Sequence, residues 1–164
     1  MKEKLETFII NEIGLLSKKK IEISIFSTLG KSKYITINDS NYKVNNFNIL
    51  NFIFGLIILL ITRPFKIFEL IFSSIKYSGI LELIFAISWF PKIESKFDLL
   101  HGSFGDRKFF IAFYLSKLTN IKLSVTIHAH EIYAQPNKKL FNLAMSHASL
   151  ITTISQKNKK LLVK

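Results

Sequence analysis

The chain contains no cysteine, one tryptophan, three prolines and six glycines in 164 residues. Without cysteine there is no disulfide framework, no thiol redox centre and no thiolate metal site. The amino terminus, MKEKLETFIINEI, lacks the long apolar stretch of a signal peptide, so export is not expected and a cytoplasmic location is. No Gly-x-Gly-x-x-Gly follows a strand-like run, and no serine nucleophile elbow is present. Gly30-Lys31-Ser32 has the ending of a phosphate loop, but the upstream glycine that such a loop requires is missing. Acidic residues are scarce, 11 against 23 Lys and Arg. No internal repeat or low-complexity linker divides the chain, so one domain spanning residues 1–164 is expected.

What is present is apolar and basic. At 49% hydrophobic residues, with 16 phenylalanines, the chain has ample material for a core. A formal charge of +12 suits nucleic acid, anionic lipid or an anionic substrate. The lysines are spread along the sequence, and the joint richness in Ile, Lys, Asn and Phe also fits a coding bias. Charge alone supports nucleic-acid binding, so that partner is not expected.

The apolar periodicity predicts a helix from Leu5 to Leu16, ending in Ser17-Lys18-Lys19-Lys20, where cations suit the carboxyl end of the dipole. Ile21 to Phe26 alternates as a strand does. Ser27 to Asn48 is polar and reads as loop, with a short strand at Tyr34–Ile37. Ile49 to Ile61, ILNFIFGLIILLI, is the most apolar run, yet it falls short of the roughly 20 residues needed to span a bilayer. It reads as a helix buried against a sheet or lying in a membrane interface. Two further apolar helices are expected at 65–77 and 80–90, the second stopped by Pro91. Strands at 97–101, 122–128 and 150–154 then alternate with helices at 106–118, 137–147 and from Ser155 onward. That alternation predicts an α/β fold, a parallel, right-handed, doubly wound Rossmann-like sheet flanked by helices.

Two of those strands end in a histidine, His101 and His128. Open parallel sheets bind ligands beyond the carboxyl ends of their strands. An imidazole there can hold a hydroxyl or exchange a proton near neutrality, although a hydrogen-bonded structural histidine reads the same way. If the strand continues past His128, His130 shares its face and Glu131 lies near, but no third ligand completes a metal site. Gly102 and Gly105, in HGSFGDR, allow the backbone to approach a ligand or simply form the turn, and Ser103 or Asp106 would cap the next helix. Lys66, Phe68, Lys76 and Tyr77 interleave charge with aromatics, as at a snorkelling rim beside a membrane or core.

LETFIINEI, LLHGSFGDR, VTIHAHEIY and LITTISQKNKKLL, in that order, resemble the amino-terminal Rossmann-like domain of GT-B glycosyltransferases, the large retaining group 4. The resemblance runs through nearly the whole chain and is weakest from Ser27 to Phe90. It implies one half of a GT-B architecture and transfer of a sugar from a nucleotide-sugar donor to a lipid-linked or polysaccharide acceptor, with no cofactor and no bound metal. His128 matches the histidine that contacts the transferred sugar, and Glu131 the acidic position of the same motif. Glu6 and Thr7 match the motif near the acceptor and phosphate side, and His101 the first histidine of His-Ala-His. Gly102, Ser103 and His130 fall within those motifs as substrate-binding positions, and Ser155 matches the serine after the last strand. Leu5 stands where the family often has serine, and Ser103 where it often has the second histidine. Only Met1–Lys4 precede the first motif and the sequence ends at Lys164, so the resemblance implies an acceptor-side half without its first strand or its donor-binding domain. A central strand lacking that neighbour would leave an open edge, and poor solubility is expected of such a fragment.

Overall fold

The computed structural model describes residues 7–28, 33–37, 40–93, 97–134 and 137–162. The chain forms two compact units, Met1–Phe47 and Asn48–Lys164.

In the first unit, helix α1 (Thr7–Lys18) buries Ile13 and Gly14. The helix ends as Lys20 turns left-handed, at φ 59°. Three strands follow: β1 (Ile25–Ser27), β2 (Tyr34–Ile37) and β3 (Ser40–Asn46). They pair in the order β1-β3-β2, with β1 parallel and β2 antiparallel to β3. Two expectations are corrected here. The strand expected at 21–26 begins only at Ile25, and the polar segment read as loop contains β3. Ser40–Asn46 has a strand's backbone without a strand's composition, because only Tyr42 and Val44 supply β-favouring side chains.

The second unit opens with α2 (Ile49–Thr62), whose amino end is capped by the Asn48 side chain accepting from the Asn51 amide at 3.1 Å. Helix α3 (Pro64–Lys76) starts one residue later, with Pro64 at the first position, where a missing N–H costs nothing. Helix α4 (Ile80–Ile93) runs through Pro91 rather than stopping there. Proline inside a helix leaves the carbonyl four residues earlier without its usual donor. Here that carbonyl, on Ile87, lies against Gly55 of α2, where an added Cβ would also press on the Pro91 ring at 3.2 Å. The glycine and the proline thus form one close helix crossing.

Strand β4 (Leu99–Gly102), helix α5 (Arg107–Thr119) and strand β5 (Lys122–Ile127) come next. Then follow a short helix α6 (Ala129–Tyr133), helix α7 (Lys138–His147), strand β6 (Leu150–Thr153) and helix α8 (Gln156–Leu162). The strands form an all-parallel sheet in the order β4-β5-β6, flanked by helices. The protein is therefore α/β with a Rossmann-like sheet. Of the two candidate caps of α5 it is Asp106 that accepts from the Lys108 amide, and Ser155 caps α8 through the Asn158 amide as expected. Asn120 ends α5 in the left-handed conformation, and the Arg63 guanidinium donates to the Leu118 carbonyl at that same end. No helix among the described residues is long and apolar enough to cross a membrane.

Helix α5 is the centre of this unit, buried continuously from Phe109 to Ser116. Its Tyr114 hydroxyl lies under Gly79, where an added Cβ would fall 2.6 Å from that oxygen and 2.8 Å from Leu140 Cδ2. Burial, reinforced by the negative charge of Glu82, pushes the Tyr114 pKa up to about 12. Gly79→Ala is expected to cost about 1–3 kcal/mol by overpacking. Adding Tyr114→Phe should recover part of that loss, because the nearest clashing atom is removed. Denaturation midpoints of the two single variants and the double variant measure the coupling.

His147 closes α7 against α5, its Nε2 2.9 Å from Ser116 Oγ and its ring edge-on to Phe113. Burial, then the positive charges of Lys117 and Lys66, hold its pKa below the ordinary 6.5. The folded chain thus favours neutral imidazole more than the unfolded chain does. This contribution to stability is complete above about pH 6.5 and is lost as pH falls from there through the lowered folded pKa. His147→Gln should flatten that part of a stability-versus-pH curve.

Candidate functional site

The carboxyl edge of the parallel sheet is built by the turns that follow β4 and β5. After β4, Gly102 lets α5 pack directly on the strand: an added Cβ would lie 3.2 Å from Phe109 Cα. At Gly105 an added Cβ would meet Phe141 at 2.9 Å and Glu131 at 3.2 Å. No glycine among the described residues has positive φ, so these two serve close packing and not an unusual turn conformation. The room beside them is filled by the protein's own side chains.

After β5 the chain does not continue as a strand. It turns at His128 into α6, so His128 and His130 do not share a strand face. The His128 amide donates to Glu131 Oε2 at 2.7 Å, and the His128 side chain in turn accepts from the Glu131 amide. This reciprocal capping box fixes the imidazole at the edge of the sheet. The His128 ring packs on Phe104, centroids 5.1 Å apart, and Lys108 Nζ lies 4.7 Å from the centre of the other aromatic's ring. Phe104 therefore joins the two turns.

His101 sits differently. It is the third residue of β4, and its ring lies across β5, with Nδ1 2.8 Å from Ser124 Oγ and Nε2 3.4 Å from Thr126 Oγ1. It forms part of a polar ladder on the sheet face, one residue short of the turn.

Beside the capping box is a cleft of about 280 Å³, lined by Glu82, Asp106, Arg107, His130, Glu131 and Asn137 among others. Arg107 Nε donates to Glu82 Oε1 at 2.9 Å; the carboxylate is nearly buried and the guanidinium half exposed. Asn137 holds the far wall: its Oδ1 caps α7 and its Nδ2 donates to the Tyr77 carbonyl at 2.7 Å. The amino ends of α4, α5 and α7 all reach this cleft, and their partial positive charge is balanced by Glu82, Asp106 and Glu131. Carboxylate acceptors, a half-exposed guanidinium and an imidazole in one cleft suit a ligand rich in hydroxyls.

Of the positions expected from sequence, His130 and Glu131 line the cleft, His128 stands next to it, and Ser103 lies in the turn before α5. Thr7 begins α1 in the other unit, and Glu6 and Gly30-Lys31-Ser32 lie outside the described residues. Glu82, Arg107 and Asn137 escaped the sequence reading. Glu82 is a lone carboxylate within the apolar run GILELIF, a signal that was available. Among the described residues, no group of three or more His, Asp or Glu is placed to hold a metal ion. No protein-family model, curated protein or solved structure matches the chain.

Proposed function

We propose that this chain is the amino-terminal, acceptor-side domain of a glycosyltransferase, which moves a sugar from a nucleotide-sugar donor to a lipid-linked or polysaccharide acceptor. The observation that carries this reading is His128. It is held by a capping box at the carboxyl edge of a parallel sheet, beside a cleft of carboxylates and one arginine. In this proposal the imidazole contacts a hydroxyl of the sugar being transferred. The exposed side of the Arg107 guanidinium, which Glu82 keeps in place, donates to a phosphate oxygen. An acceptor carried on a lipid would put the domain at the inner face of a membrane as a peripheral protein.

A second reading, a non-catalytic domain held at a membrane, is favoured by the apolar side chains that α2 and α3 leave exposed. Binding and transfer assays separate the two. The chain is incubated with a panel of nucleotide sugars and with saccharide or lipid-linked acceptors. Saccharide binding, with or without turnover, supports the transferase reading, and its complete absence across the panel would overturn it.

A further inference from the structure

Helices α2 and α3 each turn a second apolar face away from the core. On α2, Ile49, Leu50, Ile53, Phe54, Ile57, Leu60 and Ile61 are all exposed, while Gly55 and Leu59 face inward. At 3.6 residues per turn the exposed set covers one arc of about 140° along the whole helix. Helix α3 repeats the pattern: Ile67, Leu70 and Ser74 are buried, and Phe65, Phe68, Phe72 and Ile75 lie outside. The exposure is extreme, 90% for Phe65, 76% for Ile61 and 73% for Phe72. Lone exposed apolar residues are ordinary, but two contiguous stripes on neighbouring helices mark an interaction surface.

We propose that the α2–α3 face seats in the interface of an anionic lipid bilayer. Three observations choose lipid over another protein. The outward arc of α2 carries no charged residue, so a second copy meeting it would find neither ion pairs nor a polar rim. The chain's charge of +12 repels a second copy and attracts an anionic headgroup layer. Lys76 borders the α3 stripe, while Lys66 lies further round the helix and is ion-paired with Glu69 at 3.0 Å. A cation in the place of Lys76 can meet headgroups while the phenylalanines enter the acyl boundary. With 14 residues, α2 is about 21 Å long, short of the roughly 30 Å hydrocarbon core, so it lies in the plane of the membrane. The inference deepens the membrane-held reading, with which it shares these exposed side chains, and does not depend on sugar transfer.

The test is flotation of the full chain with phosphatidylcholine vesicles that contain or lack phosphatidylglycerol. The chain should float with the anionic vesicles, less so as salt is raised, and weakly with the neutral ones. Phe65→Ser combined with Phe72→Ser should reduce vesicle binding at least about tenfold. Both side chains are outside the core, so circular dichroism and the melting temperature should stay close to those of the unaltered chain. No flotation with anionic vesicles, or equal flotation of the double variant, would overturn the proposal. So would a concentration-dependent dimer abolished by the same pair of substitutions in a chain that ignores vesicles.

Discussion

Phe109→Ala is expected to lower the unfolding free energy by about 3–5 kcal/mol, a large part of what a domain of this size has. The residue is fully buried at the start of α5, between β4 beneath it and Phe141 of α7, whose ring stands edge-on at 6.4 Å. A helix buried on all sides cannot swing aside to close the space. Phe113 and Tyr114 on the next turn are packed as completely and hold the backbone where it is. The loss therefore combines lost burial with a cavity that stays open. A denaturant titration should show the midpoint falling with its slope unchanged.

The same helix allows a sharper test of how glycines work in this fold. Gly102→Ala places a Cβ 3.2 Å from Phe109 Cα and 3.3 Å from Phe109 Cβ. Both atoms remain in Phe109→Ala, so that change should not rescue Gly102→Ala. At Gly79 the closest obstacle is the end of the Tyr114 side chain, and partial rescue by Tyr114→Phe is expected. One glycine gives way to a neighbouring backbone and the other to a side-chain tip.

That distinction also marks how far the sequence could be read. Apart from α6, the strands and helices from Leu99 to Leu162 were legible because short apolar runs alternate with segments of helical length, and because Asp106 and Ser155 are good side-chain caps. Strand β3 was not, because pairing on both sides holds Ser40–Asn46 extended against its composition. Pro91 misled for a similar reason: a tertiary contact with Gly55 makes tolerable a residue that would end an isolated helix. At the site, the strand ends located His128, since topology alone sends them to one edge. The Glu82–Arg107 pair joins residues 25 apart across two helices, and no local pattern announces such a contact. Helix α6 was hidden too: its five residues carry little periodicity, and only the spacing from His128 to Glu131 foretells its capping box.

His128 therefore has a structural task, whatever else it does, and the most informative substitutions are those that separate the two roles. His128→Ala removes both the imidazole and the side-chain half of the capping box, at an expected cost of about 1 kcal/mol in stability. His128→Asn keeps a strong capping side chain and removes only the imidazole. If the imidazole contacts the transferred sugar, both variants should lose transfer by about 10²–10⁴-fold, while only the alanine variant melts earlier. Transfer is measured with the domain in a catalytically competent assembly, and saccharide binding with the chain itself. Activity that survives in His128→Asn would assign the residue to capping α6 alone and move the sugar contact to His130 or Arg107. Loss in both variants, with the fold of the asparagine variant intact, would leave the imidazole as the group that meets the substrate.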